Sequence, residues 1–441
     1  MSFPKLYSAI RKAAEDLVTH TNLARDMARK ADIRSLEGEQ TPIPAPILSV
    51  PGSRRVCLDP GEQPVAHCGF QGWNAILDSS GQLYRWGAGG DKNDTEFDLV
   101  ITTPTRILDY LTDTTHMADN EFYFLLRQGN GNVWANTPVG GVETGDADFR
   151  QLTEFNSAVM VAGSQGLINN PGQCYILKTD GTVWALGVEL PGMGTDPNPY
   201  SFPGAWSTNI LEFQQMPTAK LGTGVIDICA SPGRLSWRRS DGAIGTWVNS
   251  VQNPVFPTSR PANVAKMTCG SSHLLVRTTG GEIWSAGGNQ DGEAGLLASS
   301  AANPGGSSNN YAAFRKALSD GYTDVAGLGR RTLAVKGGRM WTWGLGGSLS
   351  ARNDGLIRWG APVEITNPNI NDVTRVHGGD LSYNGMYTSG VGCTYIWGHN
   401  WGGSLGQGYQ SPASLPGFQI EFDAYVPIQL PVGIPVAPWP V

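Results

Sequence analysis

Charge is scarce in this chain: only 16% of its 441 residues are Asp, Glu, Lys or Arg, against about a quarter in an average globular protein. The deficit argues against a helical protein with long solvated faces. A basic excess is also missing. The 31 basic and 38 acidic residues leave a net charge of −7, so no overall positive field gathers phosphates, and nucleic acid is not an expected partner. No apolar run reaches the roughly 18 residues of a membrane span, and the N-terminus lacks the continuous apolar core of a secretory signal. Cysteine is sparse too. Cys57, Cys68, Cys174, Cys229, Cys269 and Cys393 include no C-x-x-C pair, which excludes a disulfide scaffold and leaves buried thiols with room for one bridge. The six histidines, His20, His67, His116, His273, His377 and His399, show no metal-ligand spacing. Nucleophile elbow, Walker loop and dinucleotide fingerprint are all absent. The expectation is therefore a protein that is not an enzyme, with no cofactor and no metal.

What is abundant is Gly (58), Pro (29) and Trp (14). Gly and Pro together stay below the level of aperiodic disordered chains, and 40% hydrophobic residues can fill a core. These residues are periodic. A frame of Gly-x-aliphatic-aromatic-x-(Trp or apolar)-Gly recurs as GQLYRWG from Gly81, GNVWANT from Gly131, GTVWALG from Gly181, GAIGTWV from Gly242, GEIWSAG from Gly281, GRMWTWG from Gly338 and GCTYIWG from Gly392. The spacing averages about 52 residues, the length of four short strands with their turns. Each frame follows an apolar strand and a turn, and Asp180-Gly181 and Asp241-Gly242 are strong hairpin signals. Small-residue segments upstream, such as VAHCG (65–69), VMVAG (159–163) and DVAGLG (324–329), suit crowded inner strands around an axis. Pro-led segments such as TPTRIL (103–108) and APVEI (361–365) suit strand starts and edges. His67 and His377 fall beside the small-residue strands and read as packing residues, as do Cys68, Cys229 and Cys269.

The segments CGSSH (269–273), GEIWSAGGNQDGEAG (281–295) and GCTYIWGHNWGGSLGQG (392–408) resemble the regulator of chromosome condensation repeat family, over about residues 60–432. Copies two to four depart from the pattern, having lost its Trp-Gly-x-Asn turn, and are expected to be remodelled blades. The resemblance implies an all-β fold, a seven-bladed β-propeller, here with an N-terminal α-helix. Two domains are expected: an anchor helix and Pro-rich spacer over 1–40, and the propeller over 41–441. The strand at 425–432 is expected to complete the first blade and close the ring, removing open edges.

Residues 1–36 hold seven basic and four acidic side chains, leaving 24 basic and 34 acidic for the remainder. Leu6, Ile10, Leu17 and Met27 follow helical spacing with Ala filling between them. Aromatics are lacking along this apolar face, so a docking or self-associating helix fits better than a membrane-surface one. Eight Trp lie in the frames and read as packing between blades. Trp206, Trp237, Trp359, Trp401 and Trp439, with Tyr409, lie outside the frames, and the candidate surface contacts are Trp206, Trp359, Trp401 and Tyr409. The long insertions at about 187–222 and 287–321 are where function is expected to be grafted.

The favoured expectation is a non-enzymatic structural or adhesion component of a large assembly: a phage virion protein of tail, baseplate or head decoration, assembled in the host cytoplasm. Its partners would be other subunits, through the N-terminal helix, and a host-surface receptor or glycan. One alternative, implied by the resemblance, is guanine-nucleotide exchange on the small GTPase Ran or an adaptor role, with a cytoplasmic location. Another is a carbohydrate-binding propeller.

Overall fold

The structure, a computed structural model, describes residues 64–70, 73–78, 81–88, 100–107, 111–119, 124–136, 149–164, 173–186, 213–248, 253–295, 310–345, 358–365, 370, 372–378, 384–390, 393–398, 405–406 and 424–429. They form seven antiparallel sheets, each contiguous in sequence and each a meander, so the fold is a seven-bladed β-propeller. The first blade comprises Pro64–Phe70, Trp73–Asp78, Leu83–Ala88 and Val100–Ile107. The second runs from Thr114–Asp119 to Phe149–Leu152, and the third from Ala158–Ser164 to the two-residue strand Gln214–Gln215. The fourth has three strands, Val225–Ser231, Arg234–Arg239 and Ile244–Val248, with one bridge from Thr246 to Val255 standing where the other blades carry an outer strand. Four-stranded blades follow from Val264, Tyr322 and Val373. The expected N-terminal helix lies outside the described residues.

One expectation is corrected. The strand Ala424–Gln429 pairs with Thr394–Gly398 as the outer strand of the seventh blade, whereas the first blade builds all four strands from its own sequence. Ring closure therefore rests on side-chain packing between sheets. Seven apolar clusters show how. Each cluster draws on two consecutive blades, and together they account for every junction. Ala75, Leu77 and Leu83 meet Met117 and Leu126 between blades one and two, and Leu275 and Ile283 meet Val325 and Trp343 between five and six. At the closing junction Ile76, Tyr84 and Trp86 of the first blade pack on Met386 and Ile396 of the last, with Leu405. Asn74 donates a 3.5 Å hydrogen bond to Asn384 across the same junction. Cys393, just before the third strand of this last blade, is disulfide-bonded, whereas Cys174, Cys229 and Cys269 are free thiols.

The frame explains these junctions residue by residue. Its sixth position supplies Trp86, Trp247, Trp343 and Trp397, all at most 1% exposed. Each buried ring contributes about 4–6 kcal/mol before its entropy cost, taking roughly 150–250 Å² at 25 cal/mol per Å². The fourth position supplies half-buried indoles that steady the hairpins, Trp134 donating to Gln128 Oε1 at 2.9 Å and Trp284 to Glu282 Oε2 at 3.0 Å. In the fourth blade Gly245 takes this slot, and Trp237 of the neighbouring strand lies over it, donating to the Leu221 carbonyl at 3.0 Å. Trp237 is thus a core residue, fully buried, and not a loop aromatic.

The leading glycine of the frame has two tasks. Gly181 and Gly281 have φ of 78° and 81°, which the hairpin requires. Gly281 also touches the next blade: its carbonyl accepts from Tyr322 N at 3.1 Å, and a Cβ there would sit 2.7 Å from Tyr322 N. The inner strands lie side by side from the first blade to the seventh. All seven carry a register shift at their second residue, leaving Ala66, His116, Met160, Asp227, Lys266, Asp324 and Arg375 at the third. A bulge bends and twists each strand as it enters this crowded zone.

Candidate functional site

Four of the third-position residues are charged, with alternating sign from the fourth blade to the seventh: Asp227, Lys266, Asp324, Arg375. Lys266 Nζ lies 2.7 Å from Asp324 Oδ1, and Asp324 Oδ2 accepts from Val376 N at 3.0 Å, so one carboxylate joins blades five, six and seven. Asp227 pairs with Arg238 at 3.3 Å, and the same guanidinium reaches the Val264 carbonyl at 3.5 Å, joining blades four and five. Burial raises the Asp227 carboxyl despite that cation. In the second blade Arg127 donates to Thr115 Oγ1 at 2.7 Å and to the Ala158 carbonyl of the third at 3.0 Å. His116 bonds Thr115 Oγ1 at 3.1 Å, and its imidazole is held down to about 4 by burial and by Arg127.

A second polar cluster fills the junction of blades five and six at the opposite end of the strands. The Gly-rich loop 288–295 folds back so that Glu293, 1% exposed, accepts from Ser272 Oγ at 2.6 Å and from Asp291 N at 2.7 Å. Arg330 reaches Asp291 at 3.1 Å, and Thr332 Oγ1 donates to the Glu293 carbonyl at 2.9 Å. His273 Nε2 lies 2.8 Å from the same Thr332 hydroxyl. Its Nδ1 is buried without a hydrogen-bond partner among the described residues. Burial, then Arg234, pushes this imidazole down to about 3. The sign of its pH effect follows. Unfolded, His273 takes a proton below about 6.5, whereas folded it stays neutral to about 3. The stability it contributes is complete above pH 6.5 and is lost progressively as pH falls toward 3. Urea melts of His273→Gln and the parent between pH 7 and 4 should show a shallower acid loss in the variant; parallel losses would refute the assignment.

The third feature opens to solvent. A cleft of about 450 Å³ lies between the hairpin tip 238–242 of the fourth blade and residues 260–264 leading into the fifth. Arg238, Arg239 and Arg260 line it, with one carboxylate, Asp241. Arg239 pairs with Asp241, which also caps the turn by accepting from Ala243 N at 2.9 Å. Asp241 is held below the ordinary carboxylate range first by that backbone bond and then by Arg239 and Arg260. Arg260 is exposed, and Asn263 turns the chain out of the cleft at φ 54°.

Of the surface contacts expected from sequence, Trp206, Trp401 and Tyr409 lie outside the described residues, as do Leu6, Ile10, Leu17 and Met27. Trp359 sits in the outer strand of the sixth blade, its backbone opposite Gly344, an edge position and not a loop. His377 ends the inner strand of the seventh blade, buried against Thr388 Oγ1 at 3.1 Å, as a packing residue should. The arginine cleft was missed. Its signal was an Arg238-Arg239 pair just before a tight turn in an acidic ring, followed by Arg260.

These features place the chain among the β-propellers built from internal repeats. Residues 264–293, the first three strands of the fifth blade with its folded-back loop, match the regulator of chromosome condensation (RCC1) repeat. The chain shares the propeller fold of RCC1 structures. It is similar to Prp20p from Saccharomyces cerevisiae, solved in work on its binding to Gsp1p and histones, with 16% identity and a TM-score of 0.57 over 84% of this chain and 88% of that one. Yeast RCC1 (Prp20) bound to Kap60 gives 15% identity and 0.57 over 89% and 91%. Human WBSCR16 gives 16% and 0.54 over 75% and 84%. No curated protein matches in sequence.

Proposed function

We propose that this protein is a non-catalytic protein-interaction propeller, a structural or adhesion subunit of a large assembly, and in particular a phage virion component of tail, baseplate or head decoration that assembles in the host cytoplasm. The observation that carries this reading is the set of seven inter-blade clusters, reinforced by Lys266–Asp324 and Arg127–Ala158. Partly buried ionic groups here join blades. A ring pinned in this way is a rigid platform for loops, which is what an interaction surface needs to avoid ordering costs on binding. The basic, Ala-rich segment over residues 1–40 would attach that platform to neighbouring subunits.

Deleting residues 1–40 tests the reading. The truncated chain should keep the melting temperature of the parent and fail to co-sediment with assembled particles. Equal incorporation of both chains would refute it. The second reading, exchange or adaptor activity, is favoured by the likeness to Prp20p. It requires the full chain to speed nucleotide release from a small GTPase, an activity the preferred reading excludes.

A further inference from the structure

We infer that the cleft between the fourth and fifth blades is a docking site for an acidic peptide segment of a protein partner, a carboxylate side chain entering between Arg260 and Arg239. The inference deepens the interaction-propeller reading and rests on it.

The cleft inverts the charge of its surroundings. Outside residues 1–36 the chain is acidic in total, with 34 acidic against 24 basic side chains, yet three arginines and a single carboxylate line this cleft of about 450 Å³. The three are not equivalent. Arg238 is committed to Asp227 and the Val264 carbonyl, so it fixes the wall. Arg239 is held by Asp241, and its Nε is buried with no hydrogen-bond partner among the described residues. Arg260 is exposed and among the described residues has no hydrogen bond or ion pair, with Asp241 exerting a longer-range attraction. An incoming carboxylate would give Arg260 its fork partner and compete with Asp241 for Arg239.

The occupant is chosen by charge and by the other lining residues. Asp241 within the cleft and the net negative charge of the chain disfavour a polyanion such as nucleic acid, whose binding needs a continuous basic track. A single carboxylate on a peptide avoids that cost. Pro261, Ala262 and Val264 complete the lining and give the residues beside that carboxylate an apolar surface. Both cleft walls are fixed by backbone bonds, Gly242 N to the Arg239 carbonyl at 2.9 Å and Thr279 N to the Asn263 carbonyl at 2.8 Å, so the arginines are presented without prior ordering.

The test uses the full chain and a fluorescein-labelled heptapeptide with two glutamates among alanine and leucine, against its glutamine counterpart, by anisotropy at low salt. The glutamate peptide should bind at least about tenfold more tightly, as a charge-assisted pair implies. Arg260→Ala should remove that preference with no change in melting temperature, because the side chain is exposed. Asp241→Asn keeps the turn-capping oxygen, removes the competing charge and should tighten binding severalfold. Equal binding of the two peptides, or an unchanged preference in Arg260→Ala, would overturn the proposal. So would displacement of the peptide by millimolar inorganic phosphate or tighter binding of a DNA duplex, either of which would reassign the cleft to phosphate. Failure here leaves the interaction-propeller reading standing if residues 1–40 still govern incorporation, and that reading falls on the truncation alone.

Discussion

Trp86→Ala should lower the melting temperature by about 3–6 °C, corresponding to about 3–5 kcal/mol for emptying a closed aromatic site in a chain of this size. Trp86 is fully buried where the first blade packs on Met386, Ile396 and Leu405 of the last. That junction differs from the other six in one respect. Its two blades are joined by the whole intervening chain, not by a short connection, so weakening it opens the ring at a point where no local linker holds the sheets together. Trp284→Ala is the matched control. Its indole is half-buried, covered by Lys316 Nζ at 5.4 Å from the ring, and its loss leaves no closed cavity. It should cost about 1–2 kcal/mol. If the two variants melt together by calorimetry, closure does not depend on the Trp86 junction.

The second large effect is expected at a residue with no side chain. Gly281→Ala should destabilise the propeller by about 3 kcal/mol, since it combines a left-handed backbone with a Cβ driven into the next blade. At φ 81° that Cβ would lie 2.7 Å from both Gly321 N and Tyr322 N and 2.8 Å from the Tyr322 carbonyl oxygen, none of which can move without shifting the inner strand of the sixth blade. Gly242→Ala provides the comparison, because its φ is nearly the same at 79° and nothing lies within 4 Å of the added atom. It should cost about 1 kcal/mol, the backbone term alone. Chemical denaturation of both separates the two contributions. Equal losses would mean that the frame glycine serves only its turn.

The comparison of these glycines shows what the sequence could and could not reveal. Seven frames at a spacing near 52 residues define seven blades, because the hairpin needs Gly and the buried junction needs Trp, and both needs leave residue types behind. Closure was misread for a physical reason. A pairing strand such as 425–432 has the same alternation whichever sheet it joins, and only the three-dimensional register with Thr394–Gly398 decides it. The core role of Trp237 was not legible because the compensation by Gly245 links two strands at a point where the frame is broken. The axial charges were illegible too. Asp227, Lys266 and Asp324 fall at homologous positions only once the bulge at each second residue is counted. The arginine cleft is assembled from residues about twenty apart, and no spacing rule connects a hairpin tip to the entry of the following blade.

A closed ring held by side-chain packing between the first and last blades is the central claim, since a rigid display platform depends on it. The most direct measurement is cross-linking of the double variant Asn74→Cys and Asn384→Cys, two positions whose side chains meet at 3.5 Å. Reaction of the monomer with a short homobifunctional methanethiosulfonate that can span the pair, followed by peptide mapping, should recover the linked pair in high yield. Recovery of residues 74 and 384 only as unlinked peptides from folded protein would contradict the closure described.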